Sequence, residues 1–210
     1  IPGNIRDLIL TEKYLYVTAE SGGLHIFAID QPHRPRHLAT LKTPGSAMKM
    51  ELFENTIFLA GGPAGLHIID VNEPTNPRLL HSIPTEFKPQ ALAVSVVWPT
   101  IYVAGENFEN NDHLLALKLN SRFEEISRQM IPAISYVSTS LASNETNLFL
   151  GDAVWGIQAF GINEKNQGEL LFSPSATMLF KKIVVKNDLA YLLYQRGGIM
   201  VVDISNPDLL

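Results

Sequence analysis

The stretch GLHIIDVNEPTNP (65–77) restates GLHIFAIDQPHRP (23–35) at a distance of 42 residues. A repeat of that length constrains the fold strongly, because each copy must be one supersecondary unit that buries apolar surface against the next. Aligned on the glycine that opens the motif, copies begin at Gly23, Gly65, Gly156 and Gly198, with intervals of 42, 91 and 42. The long interval holds two further units of roughly that length, and in the middle unit HLLALKLN (113–120) puts His113 in the glycine's place. An aromatic marker keeps the same register: Tyr16, Phe58, Tyr102, Phe149 and Tyr191 recur at intervals of 42, 44, 47 and 42. The chain thus reads as five units, approximately 4–45, 46–87, 88–133, 134–177 and 178–210, the last incomplete.

Inside a unit the apolar pattern has period two or forms short continuous runs, which predicts strands. In the second unit MKMELF (48–53) alternates, IFLAG (57–61) runs apolar, and LHIIDV (66–71) and RLLHSI (78–83) follow, separated by turn-forming residues. Pro74 and Pro77 cannot donate to a central ladder and belong in the connection. No segment carries a sustained helical stripe, so helix should be scarce. Four short antiparallel strands per unit match a β-propeller blade. A sandwich or barrel predicts no such period. The expected fold is all-β, a propeller of about five four-stranded blades and part of a ring with more than five.

Composition excludes several functions. The formal charge is −5, with HRPRH (33–37) the densest basic cluster, so no electropositive stripe is offered to nucleic acid. No apolar run reaches the 18 or so residues that span a bilayer. Cysteine is absent, which removes disulfides and thiol catalysis together. The opening IPGNIRD has no signal-peptide pattern and reads as a mature product or an excised part. The final NPDLL (206–210) stops where a fourth strand should begin, and IPG (1–3) matches only the tail of one. The expectation is a window from a longer array, prone by itself to self-associate through open blade faces.

IMVVDISNP (199–207), LHIIDVNEPTNP (66–77) and the strands AYLLY and IYVAG resemble the LVIVD repeat. The second and fifth units match well. The first has Ala28 where Asp70 and Asp203 stand, and the third and fourth have Lys118 and Gly161 there with no Asn-Pro following. The resemblance implies a β-propeller from a largely bacterial and archaeal family, many of whose members are exported or at the cell surface. It implies an extracellular, cell-surface or periplasmic location and carries over no catalytic residue.

Among the recurring polar residues, Asp70 and Asp203 end third strands, where a carboxylate accepts turn N–H groups. His25 and His67 occupy equivalent places, which invites a zinc site. The other units hold Leu115, Gln158 and Met200 there, so a half-polar strand position is the better reading. GGPAGL (61–66) lacks the Lys-Ser/Thr of a phosphate loop, and neither HExxH nor GxSxG occurs. The third unit deviates by inserting ENFENNDH (106–113). Its oxygen-bearing side chains Glu106, Asn107, Glu109, Asn111 and Asp112 make it a Ca²⁺ candidate, although the spacing is not that of an EF-hand.

In a propeller the loops between second and third strands share one face with the blade-to-blade connections. That face should gather Phe108, Trp155, Arg196, Phe87, Tyr136 and Met48, a set suited to a protein or glycan partner. The reading that follows is a non-enzymatic interaction module, with no cofactor beyond the Ca²⁺ candidate. A propeller hydrolase, lactonase or lyase would need convergent polar groups where the first strands start. Those positions, NIRD (4–7), SAMK (46–49), KPQA (88–91), SYVS (135–138) and MLFK (178–181), are largely neutral. A structural spacer within a longer surface protein is the third alternative.

Overall fold

A computed structural model describes residues 1–85, 87, 89–107, 114–133, 138–152, 156–162, 168–172, 180–194 and 197–205. The chain divides into two units, Ile1–Ala91 and Leu92–Leu210. In the first, β1 (Ile5–Leu10), β2 (Tyr14–Ala19), β3 (Gly23–Ala28) and β4 (Arg36–Leu41) form one sheet in sequence order. A second sheet follows from β5 (Met50–Phe53), β6 (Thr56–Ala60), β7 (Leu66–Asp70) and β8 (Arg78–Ile83). Strand β9 (Pro89–Val97) leads into the second unit and joins β10 (Thr100–Asn107), β11 (Leu114–Leu119) and β12 (Glu125–Ile131). The fourth sheet is β13 (Ser138–Ser143), β14 (Asn147–Asp152), β15 (Gly156–Ile162) and β16 (Gly168–Phe172). The fifth has three strands among the described residues: β17 (Phe180–Lys186), β18 (Leu189–Tyr194) and β19 (Ile199–Asp203). One 3-10 turn, Glu20–Gly22, is the only helical element among the described residues.

Each sheet is a meander because its turns are too short for anything else. Glu54 and Asn187, at equivalent places in first hairpins, take positive φ (both +53°), as tight two-residue hairpins demand. One hydrogen bond recurs in all five sheets. The N–H groups of Ile29, Val71, Leu119, Ile162 and Ile204, at or just past the ends of the third strands, donate to the carbonyls of Lys13, Asn55, Pro99, Thr146 and Asp188. The distances lie between 2.7 and 3.0 Å. The third and fourth sheets, whose sequences have drifted most, keep this closure.

The core lies between successive sheets. In the first unit Tyr16, Leu24 and Ile26 meet Met50, Ile57, Leu59 and Ile69. In the second, Tyr102 and Leu114 meet Leu141, Leu150 and Phe160, and Phe149 and Ala159 meet Ile183, Ala190 and Leu192. A middle sheet is thus covered on both faces, which explains why its strands run apolar instead of alternating cleanly. Each buried Leu, Ile, Met or Phe among them stabilises the fold by about 1.5–3 kcal/mol. Burial also pushes the Tyr102 phenol up to about 12. The surface that Leu24 and Ile26 bury is open in the fifth sheet, where their counterparts Ile199 and Val201 are 68% and 53% exposed.

The glycine that marks the repeat has a steric reason. Gly23 and Gly65 take φ of +83° and +86° at the entry to the third strand. A Cβ at either would lie 2.3 Å from a carbonyl oxygen at the end of the fourth strand, that of Leu41 or Ile83. Gly198 shares the conformation, with φ +98°, but nothing stands within 4 Å of its missing Cβ.

Candidate functional site

Most of the face expected from sequence lies outside the described residues: Phe108, Glu109, Asn111, Asp112, Tyr136, Trp155 and Arg196. Glu106 and Asn107, expected in a loop, instead belong to β10, which continues to Asn107. Glu106 is half-buried there. Phe87 is 4% exposed, so its side chain offers little surface to a partner. Met48 is half-buried, and its carbonyl accepts a 2.6 Å hydrogen bond from the Thr18 hydroxyl.

The recurring polar residues hold the fold together. Asp70 Oδ1 accepts the Asn72 N–H at 2.8 Å, and Asp203 Oδ1 accepts that of Ser205 at 2.9 Å, so both carboxylates fix their turns as expected. That bond holds the Asp203 carboxyl below its ordinary range. The histidines are more deeply placed than a half-polar position implies, at 4% exposed for His25 and 0% for His67. His67 Nε2 donates to the Pro44 carbonyl at 2.8 Å, which leaves Nδ1 to accept from the Ser82 hydroxyl at 2.8 Å. The ring ties its strand both to the fourth strand and to the linker entering its sheet. His25 Nδ1 pairs with Thr40 Oγ1 at 2.9 Å in the same way. Burial lowers the pKa of both rings, with His37 lowering His25 further.

At the starts of first strands, where an enzyme would need free polar groups, the register shifts between Ile5 and Asp7 and again between Ser138 and Ser140. Bulges re-aim side chains. Here they turn Asp7 and Ser140, each nine residues before its aromatic marker, toward the next sheet. Asp7 Oδ2 accepts the Met50 N–H at 3.3 Å while Lys49 Nζ stands 3.7 Å from Oδ1, and Ser140 Oγ accepts the Ile183 N–H at 3.1 Å. These groups fasten one sheet to its successor.

At the opposite end of the strands from the expected face, each unit carries an open groove between successive sheets. In the first unit it measures about 330 Å³ and is bounded by the hairpin turns Thr11–Lys13 and Glu54–Asn55, with Tyr14, Tyr16 and Asn72. In the second it measures about 450 Å³, between the turns 144–146 and 187–188. The two are equivalent by repeat register. The sequence carried a sign of them, since Glu12, Glu54 and Glu145 each stand four residues before the aromatic marker. In the third sheet that turn holds Trp98, 36% exposed, with its ring edge-on to Phe123 at 5.7 Å.

Five meander sheets in sequence order, stacked within each unit through apolar faces and fastened there by hydrogen bonds between sheets, define a β-propeller repeat protein. The chain belongs to the LVIVD repeat family, whose model matches residues 2–36, 44–85 and 180–208, together just over half of the chain. No curated protein matches it. Among solved structures it is similar to the computationally designed Ika8 protein, with a TM-score of 0.70 and 13% identity over 95% of this chain. It spans 58% of that protein's length. A functionally unknown protein from Desulfotomaculum acetoxidans gives a TM-score of 0.74 at 12% identity, covering 97% of this chain and 70% of that one. The designed Ika4 protein gives 0.57 at 13% identity, covering 75% of this chain and 90% of that one. At such identities the likeness is one of fold alone.

Proposed function

We propose that this chain is a non-enzymatic propeller module that binds a protein or glycan partner, within a protein exported or displayed at the cell surface. The observation that carries the proposal is the commitment of Asp7 and Ser140 to bonds between sheets, which takes these first-strand polar groups away from chemistry. The location rests on the family's habit, and the partner class on the loop residues Phe108, Trp155, Arg196 and Tyr136.

The experiment compares two variants. W155A/R196A should abolish retention on whichever glycan of an array, or immobilised surface protein, the chain recognises, without shifting its melting temperature. D7N should leave that retention unchanged. Hydrolase or lactonase turnover by the wild-type chain, abolished in D7N while the fold persists, would overturn the proposal.

A further inference from the structure

Stacking within a unit gives each sheet two unlike faces, one turned to the sheet that follows and one to the sheet before. In the first unit the two kinds meet, where Ile9, Tyr14, Leu24 and Ile26 of the first sheet pack with Ala47, Met50 and Leu52 of the second. In the second unit Phe149 and Ala159 of the fourth sheet meet Ile183 and Leu192 of the fifth in the same register.

Repeat register locates both kinds of face where nothing covers them. Val184, Leu189, Ile199 and Val201 of the fifth sheet hold the places of Ile9, Tyr14, Leu24 and Ile26. Strand pairing agrees, since Tyr191 stands opposite Val184 and Val201 as Tyr16 stands opposite Ile9 and Ile26. These four are 47%, 37%, 68% and 53% exposed, and Leu193, at the place of the fully buried Thr18, is 40% exposed. The complementary face is open on the first sheet. Ile5, Leu8 and Leu10 hold the places of Ala47, Met50 and Leu52, yet are 60%, 55% and 66% exposed. Eight of the twelve large hydrophobics exposed among the described residues thus lie on these two faces. Single exposed apolar residues are ordinary, whereas a contiguous set marks an interaction surface.

The occupant follows from the pairing inside each unit. A face of the fifth-sheet kind is buried by a face of the first-sheet kind, and one chain carries one of each. A second copy therefore brings to each face the twisted, apolar sheet surface that its counterparts already meet. One fastening is missing. Lys182 holds the place at which Asp7 and Ser140 accept an N–H from the next sheet, and an ammonium accepts nothing. Such a joint rests on apolar burial and is reversible.

We propose that the open face of the fifth sheet in one copy packs onto the open face of the first sheet in a second copy, in the register by which the first sheet meets the second, so that copies join head to tail. The proposal goes beyond the partner-binding reading and uses none of its loop residues.

Sedimentation of the whole chain over a range of concentrations tests it with two variants. I199K/V201K charges the fifth-sheet face and L8K/L10K the first-sheet face, all at exposed positions. Wild type should sediment above its 23.3 kDa mass in a concentration-dependent way, and each variant alone as a monomer. Mixed, the two variants should form a one-to-one dimer, because each keeps the face that the other lacks. The milder I199T/V201T and L8T/L10T keep strand propensity and should give the same pattern, so an unfolded lysine variant does not end the test. Ile126→Lys, at an exposed apolar position on neither face, should associate as wild type does. So should W155A/R196A, which separates failure here from failure of the loop-face reading. Association that survives in one variant alone would mean that like faces pair, and would overturn the proposal. A mixture that stays monomeric would overturn it as well. A wild type still monomeric at about 0.5 mM would do the same and leave both faces to a partner other than this chain.

Discussion

Gly65→Ala is expected to destabilise the chain by about 3–5 kcal/mol, combining the cost of positive φ with a clash that forces backbone to move. The clash is with the Ile83 carbonyl oxygen, 2.3 Å from the new Cβ. That oxygen belongs to β8 and cannot swing aside as a flexible side chain would. Gly198→Ala pays only for φ, because its Cβ meets nothing within 4 Å, and should cost about 1–2 kcal/mol. Thermal melts of the two variants read the contrast directly, at about 2–4 °C per kcal/mol for a chain of this size. Equal losses at both positions would mean that the repeat glycine is kept for its conformation alone.

The second large effect belongs to His67. His67→Ala empties a fully buried site and strands the Pro44 carbonyl and the Ser82 hydroxyl, at a cost of about 2–4 kcal/mol. His67→Gln should cost much less, because Gln158 already occupies the equivalent position in the fourth sheet at 0% exposure. The pH dependence has a definite sign. The folded pKa values of His25 and His67 lie below the ordinary 6.5, so under acid the unfolded chain takes up protons that the folded chain refuses. Their contribution is fully present above pH 6.5 and is lost as pH falls below it toward the folded values. The melting temperature should therefore decline from pH 7 to pH 5, more steeply in wild type than in His67→Gln. A profile unchanged by the substitution would show that this ring is not the group titrating.

Much of this was legible in the sequence, because the informative features are local or periodic. The spacing of Tyr16, Phe58, Tyr102, Phe149 and Tyr191 alone fixes five sheets, and the turn role of Asp70 and Asp203 needs only a neighbour two residues away. Features that depend on stacking were not legible. The partners of His67 are Ser82, 15 residues on, and Pro44, 23 residues back, and neither pairing shows in a linear pattern. Phe87, in a connection between blades, reads as surface until a core closes over it. The inserted 106–113 segment is conspicuous in the sequence and points to one end of the strands. The Glu12, Glu54 and Glu145 pattern marked the other end, but a carboxylate in a hairpin turn looks ordinary until two sheets bring a pair of them to one groove.

The central claim is that all five units close in one register, including the third and fourth, which lie outside the family match. Amide hydrogen exchange measures this at single residues. Ile29, Val71, Leu119, Ile162 and Ile204 each donate the hydrogen bond that closes the third strand onto the first hairpin turn. All five amides should exchange slowly, as members of a protected core do. Fast exchange at Leu119 and Ile162 beside slow exchange at Ile29, Val71 and Ile204 would contradict the account, because the drifted units would then lack the closure that defines a blade.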